Sequence, residues 1–306
     1  MANTTTILNQ PLTEIFFSVI GLSFMAFFVT CISLYCLIIT YKNRKLHTPS
    51  NVAICSIILA HLIQGVFVIP LYALKRSNVR ILFLTCDTFR FTYMLTNYAA
   101  CLSLLVVTFD RYLLMKIPLK YRINVTLKRT YVLLLGTWTY TLILCLIPFS
   151  NNKNQSGCLY NPTNIWTTSM LISNRCVPLI FSIIIYMMIF KKSRAMRKDQ
   201  TVNDNQKCFY INKSNRVFLI ITCFLICWGP SVVYYLLESL CYRSCFNKNY
   251  HENLSENYVK LVIKMMTFMD GIFAPLFYCI GNRSFQKASD ESKKKLKFTF
   301  GNWIHF

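Results

Sequence analysis

Several cationic and hydrogen-bonding side chains stand inside long apolar runs, where a chain this greasy has least reason to keep them. Arg90, Tyr93 and Asn97 follow Cys86 at spacings of four, three and four residues, which puts all four on one helix face. Lys260, Lys264 and Thr267 form a similar stripe, and Arg175 interrupts another apolar run. Charges at such depth are rare and mark functional sites by default. Arg90, Tyr93, Asn97, Arg175, Trp228, Tyr235 and Lys264 are therefore the candidate lining of a ligand cavity. The three cations suit an acidic group such as a carboxylate or phosphate, which guanidinium grips with two parallel hydrogen bonds. The alternative is internal pairing of these cations with Asp87 or Glu238.

Enzyme chemistry finds no foothold. The chain has no His-Glu-x-x-His metal motif, no Gly-x-Ser-x-Gly elbow and no Walker-type loop, so no catalytic residue, metal or cofactor is expected.

The elements that must position these residues follow from composition. The 306 residues are 55% hydrophobic and only 14% charged, against about 25% charge in soluble chains. About 20 apolar residues cross a hydrocarbon core of about 30 Å. Seven such stretches are predicted at 15–41, 52–74, 81–109, 131–149, 170–190, 217–240 and 258–281. A soluble helical bundle would show a polar face along each helix and shorter apolar runs. The expected fold is thus an all-α membrane protein: residues 1–14 outside, a seven-helix bundle over 15–281, and a short cytoplasmic helix and tail over 282–306.

Basic loops stay on the cytoplasmic side. Inner loops one, three and five and the C-terminal segment hold 3, 6, 8 and 6 of the 33 Lys and Arg, against 6 in the outer loops and 4 in spans. This predicts a plasma-membrane protein with the N-terminus extracellular and the C-terminus cytoplasmic. Met1 to Thr13 lacks the basic start and small-residue cleavage site of a signal peptide. The net charge of +22 is dispersed beside the bilayer instead of forming one basic face, so membrane lipids, not nucleic acid, are the expected neighbour. Lys293 to Lys295, near Phe298 and Phe300, suit that interface.

Asn3, Asn154 and Asn253 are glycosylation acceptors on predicted outer segments. Most of the fourteen cysteines sit in spans as small apolar residues. Cys86 opens the third span on the outer side and Cys158 stands alone in the long outer loop, so a Cys86–Cys158 bridge is predicted. Cys241 and Cys245 leave a second, local bridge sterically open.

At the inner end of the third span stands Asp110-Arg111-Tyr112, followed by Pro118-Leu119-Lys120-Tyr121. Further landmarks come in order: Leu46 to Asn51, Leu59-Ala60, Cys86 placed 24 residues before Asp110, Trp138, Pro148, Pro178 with Tyr186, Phe224 to Pro230, Pro275 to Tyr278, and Phe285. Together these resemble the rhodopsin-like G protein-coupled receptors along almost the whole chain. Three positions depart from that pattern: His61 replaces the second-helix acid, Ala274 the asparagine before the seventh-helix proline, and Ser33 the first-helix asparagine. The family's sodium pocket is accordingly not expected.

The resemblance implies a receptor that binds an extracellular ligand and activates heterotrimeric G proteins. Prolines 70, 148, 178, 230 and 275 give hinges in five spans. In the family the inner half of the sixth helix swings outward, here about Pro230 with Trp228 and Phe224 below. Asp110 pairs with Arg111 as a latch, and the freed Arg111 meets the G protein together with Tyr112, Tyr186 and Tyr278. Tyr93 holds the position where amine receptors carry an aspartate, which argues against a simple amine, and Phe268 stands where retinal-binding relatives have lysine. His61 and Asp270 border one inner pocket by family position and are expected to pair, so that protonation of His61 couples to receptor state. The competing readings are a decoy receptor of the same fold that binds without signalling and, with no internal repeat to support it, a transporter.

Overall fold

A computed structural model of the protein describes residues 12–77, 83–150, 163–198, 204–240 and 252–304. Side chains near several helix ends, among them Cys86, residues 204–218 and Asn253, lie outside the description. So do Asn3, Asn154, Cys158, Cys241 and Cys245.

All regular structure among the described residues is helical. The bundle helices are α1 (Leu12–Lys42), α2 (Pro49–Arg76), α3 (Phe83–Lys116), α4 (Leu127–Leu146), α5 (Asn164–Leu171 continued by Val177–Lys198), α6 (Asp204–Leu240) and α7 (Glu252–Gly281). Each contains a stretch long and apolar enough to cross a membrane. Inside lipid every backbone N–H and C=O must be satisfied within the segment, which is why such runs are helices. A short helix, Pro118–Asn124, follows α3, and α8 spans Arg283–Ile304.

Threonines open three of the helices. The hydroxyls of Thr48, Thr126 and Thr163 accept from the backbone N–H of Asn51, Arg129 and Trp166 at 3.4, 3.4 and 3.3 Å. Each satisfies one of the donors that a helix start leaves free.

The expected proline hinges take three forms. Pro70 and Pro178 each follow a π turn, Gln64–Val68 in α2 and Ile172–Cys176 in α5. The wider turn relieves the clash between a proline ring and the preceding carbonyl. Pro148 lies in a 3-10 turn, Ile147–Ser150, that finishes α4. Pro230 and Pro275 sit inside continuous α6 and α7.

Two expectations need correction. The segment between the apolar runs 170–190 and 217–240, counted above as a basic inner loop, is largely helix, because α5 reaches Lys198 and α6 starts at Asp204. Polar residues end a membrane span without ending a helix, since Lys, Arg and Gln are good helix formers. The eighth helix is 22 residues long, not short. Its Phe285, Ala288 and Ser289 are buried while Arg283, Gln286, Lys287 and Asp290 are exposed, the three-to-four spacing of an amphipathic helix.

Small and polar residues set the helix spacing. Trp138 of α4 donates through Nε1 to Ser56 Oγ at 2.9 Å, and Ser56 meets Ser103 of α3 at 2.9 Å, tying three helices at one point. At Gly65 a Cβ would lie 2.6 Å from Thr30 Oγ1 and 3.0 Å from Thr30 N, so α1 and α2 approach closely only because that position is glycine. The outward surface is apolar, with Phe16, Phe17, Phe27, Leu135 and Ile143 all more than half exposed, as befits a chain solvated by acyl tails.

Candidate functional site

The end of the bundle at which α1 starts is termed proximal and the other end distal. At the proximal end four rings from three helices pack in series. Tyr72 stacks on Phe89 at 5.6 Å, Phe89 on Tyr93 at 5.7 Å, and Phe268 closes edge-on against Tyr93 at 6.4 Å. Lys264 reaches into this box from α7, its Nζ 4.4 Å from the Tyr72 centroid and 5.7 Å from that of Tyr93.

Arg175 approaches Tyr93 as well, from the π turn of α5. Its Cζ lies 4.9 Å from the Trp228 ring, 5.7 Å from Tyr98 and 6.0 Å from Tyr93. The side chain is 3% exposed, and among the described residues neither its Nε nor the Tyr93 hydroxyl has a hydrogen-bond partner. No described carboxylate pairs with Arg175 or Lys264. Glu238, one of the alternative partners, is 2.9 Å from Lys260 instead. Arg90 and Asp87 are half-buried and buried respectively, each engaged in interactions of its own. Tyr235 is half-buried on α6, its ring edge-on to Tyr234 at 5.4 Å.

A polar chain crosses the middle of the bundle. Trp228 is fully buried and lies parallel to Phe224 with centroids 4.9 Å apart. Its Nε1 donates to Asp270 Oδ2 at 3.1 Å, and the same oxygen is 3.4 Å from His61 Nε2. His61 Nδ1 meets Gln64 Oε1 at 3.0 Å, and Gln64 Nε2 donates to Asn97 Oδ1 at 2.6 Å. The chain thus links α6, α7, α2 and α3. Beside this chain α7 comes close to α1 at Gly271, where a Cβ would sit 3.0 Å from Val29 Cγ1, tighter than side chains normally pack, and 3.5 Å from His61 Nδ1, an ordinary contact. Gln64 was missed by sequence reasoning; its one signal was its position three residues after His61, on the same helix face.

At the distal end Asp110 is held more by others than by its neighbour. Ser50 donates to its Oδ2 at 2.5 Å and Tyr121 to its Oδ1 at 2.6 Å, whereas Arg111 Nε stands 3.9 Å away. Burial and the nearby carboxylate push the Tyr121 hydroxyl well above its ordinary pKa, so it remains a donor at any physiological pH. Arg111 is 5% exposed, and its Nε and Nη1 have no hydrogen-bond partner among the described residues. Tyr278 turns toward α1 and α8, with its hydroxyl 3.4 Å from Thr40 Oγ1 and its ring 5.2 Å from Phe285. Tyr186 is half-buried on α5, and Tyr112 is half-buried with Lys116 Nζ over its ring at 5.3 Å. Ser50 falls within the Leu46 to Asn51 landmark, but nothing in the sequence marked it as a partner of Asp110, 60 residues away in the chain.

Comparison with known proteins supplies the family. Residues 33–278 match the 7 transmembrane receptor (rhodopsin family) profile. The chain is 22% identical over 295 residues to octopamine receptor beta-2R of Chilo suppressalis, covering 81% of this chain and 72% of that receptor. It is 25% identical over 197 residues to 5-hydroxytryptamine receptor 1B of Canis lupus familiaris, with 62% and 51% covered. The human 5-hydroxytryptamine receptor 1B is 26% identical over 175 residues, with 55% and 45% covered. The chain therefore spans about half the length of these 5-hydroxytryptamine receptors. Relatives and profile alike are receptors and not enzymes. Since the matched segment runs from within α1 to Tyr278 and the bundle holds the seven apolar helices it requires, this chain belongs to the rhodopsin family of G protein-coupled receptors.

Proposed function

We propose that the protein is a signalling receptor whose proximal cavity faces outward and takes the acidic group of its ligand between Arg175 and Lys264. The supporting observation is that two buried or half-buried cations share the Tyr93 ring with no described carboxylate beside them. Aromatic faces offset part of the desolvation of a cation. A buried charge still lacks its full complement until an anion arrives. The relatives are named for octopamine and 5-hydroxytryptamine, but Tyr93 replaces the aspartate with which the family's amine receptors meet an ammonium group.

A ligand that draws Arg175 away from Trp228 alters the ring whose Nε1 is bonded to Asp270. Motion of α6 about Pro230 then depends on how much better the ligand binds the active arrangement than the resting one. The Asp110 cluster releases Arg111 toward a heterotrimeric G protein at the distal, cytoplasmic face. The orientation, the Cys86–Cys158 bridge, glycosylation of Asn3, Asn154 and Asn253, and the coupling roles of Tyr112, Tyr186 and Tyr278 belong to the same proposal.

The test is a screen of anionic metabolites, lipids and short peptides alongside octopamine and 5-hydroxytryptamine, read as nucleotide exchange on a panel of G proteins. An anionic agonist should lose potency by about 30-fold or more in Arg175→Ala, the loss of one partner of a buried charge pair being about 2–5 kcal/mol. Arg111→Ala should abolish exchange while ligand still binds. Activation by amines alone, untouched by Arg175→Ala, would overturn the ligand assignment. Binding without exchange on any G protein would make the protein a decoy.

A further inference from the structure

Beneath Trp228, where α6 meets α7, two thiols and a carboxylate converge. Cys223 and Cys227 are one helical turn apart on α6, 8% and 6% exposed, with their sulfurs separated by 3.9 Å. A carboxylate oxygen of Asp270, fully buried on α7, completes a group whose donor atoms all lie within 4.8 Å of one another.

The separations fit a cation. A tetrahedral zinc ion with Zn–S bonds of about 2.3 Å holds two sulfurs about 3.8 Å apart. The carboxylate is already oriented as a ligand needs, because Trp228 Nε1 donates to Oδ2 and His61 faces that same oxygen. Its other oxygen, Oδ1, has no hydrogen-bond partner among the described residues although it is sealed from solvent. An orphaned buried carboxylate oxygen beside two converging thiols is an arrangement that a metal ion completes.

We propose that Cys223, Cys227 and Asp270 form an intramembrane zinc site that clips α6 to α7 under Trp228. Thiolates select a soft ion, and the carboxylate beside them favours zinc over copper(I). Sodium is disfavoured for the same reason, since it seeks oxygen donors alone. On binding, the two thiols release their protons to solvent and bond to zinc as thiolates, with a carboxylate oxygen third and one position left for water. No redox partner is required. The sequence carried no recognisable metal motif, because two of the ligands come from a Cys-x-x-x-Cys spacing common in apolar helices and the third lies 43 residues beyond Cys227.

An ion shared by α6 and α7 binds best in the arrangement in which its ligands converge, so zinc opposes any outward movement of α6 that separates them. This consequence rests on the receptor reading above; the site itself does not.

The experiment uses the whole 306-residue chain in lipid nanodiscs, reduced, stripped with chelator, exposed to zinc and freed of excess metal. One zinc per receptor should remain in the unmodified protein and in Cys176→Ser, and that equivalent should be lost in Cys223→Ser and in Cys227→Ser. Independently of any variant, zinc should protect Cys223 and Cys227 of the unmodified protein from a small alkylating reagent, as read by mass spectrometry. Equal zinc in all four proteins, or equal labelling of both thiols with and without zinc, overturns the site. If zinc binds and protects but leaves nucleotide exchange unchanged, the site stands and the clip on α6 is wrong.

Discussion

Asp110 and Asp270 are both carboxylates sealed inside the bundle, at 6% and 0% exposure, and they use their oxygens in opposite ways. Asp110 has a hydroxyl donor on each oxygen, Ser50 on one and Tyr121 on the other. Asp270, whose carboxylate lies beside the Cys223 and Cys227 thiols, has Trp228 and His61 crowded onto one oxygen and, among the described residues, no hydrogen-bond partner on the other. A carboxylate with both oxygens satisfied favours a single arrangement of the helices that supply its donors. One with an orphaned oxygen has capacity left for a change of partner. The contrast predicts that the distal cluster acts as a clamp and that the central one is the point at which the bundle adjusts.

The largest expected effect breaks the central cluster outright. Asp270→Ala leaves the Trp228 N–H buried without its acceptor and the imidazole without the carboxylate that faces it, and should lower stability by about 3–5 kcal/mol. Thermal unfolding in detergent checks this against Asp270→Asn, whose amide oxygen still accepts from Trp228 and should lose much less. Equal losses would mean that the Trp228 contact contributes nothing.

Next in size is the clamp. Asp110→Asn weakens two charge-assisted hydrogen bonds worth about 1.5–3 kcal/mol each. If these favour the resting arrangement, unstimulated nucleotide exchange should rise roughly tenfold or more. Unchanged basal exchange would show that the clamp holds the fold and not the signalling state.

A finer cut separates the two donors. Tyr121→Phe and Ser50→Ala should each raise basal exchange by less than Asp110→Asn, and their effects should be non-additive because they share one carboxylate. Strict additivity in the double variant would argue that the two hydroxyls act apart. The smallest expected change is Gln64→Ala, which removes the link from His61 to Asn97 and should cost about 1 kcal/mol of stability while leaving basal exchange near normal.

Much of this architecture was legible in the residues. Seven apolar runs appear because lipid admits only helices with internally satisfied backbones, so length and hydropathy alone mark Ile15–Lys42 or Tyr258–Gly281 to within a few residues. The distal limits of α5 and α6 were not legible, since a helix continues past the bilayer on polar residues that read as loop. The π turns were equally hidden, although they carry Gln64 and Arg175, because an extra residue per turn leaves no compositional trace.

What the sequence determined by itself was the class of the molecule, the identity of its intramembrane charges and the landmarks of its family, because these depend on residue type and short-range spacing. What only the tertiary structure decided was partnership. Asp110 turned out to rest on Ser50 and Tyr121 more than on adjacent Arg111, and Asp270 to lie within reach of two cysteines on another helix. Such pairings depend on the rotation of each helix about its axis and on close approaches permitted by Gly65 and Gly271, which arise from packing between helices and are written in no single segment.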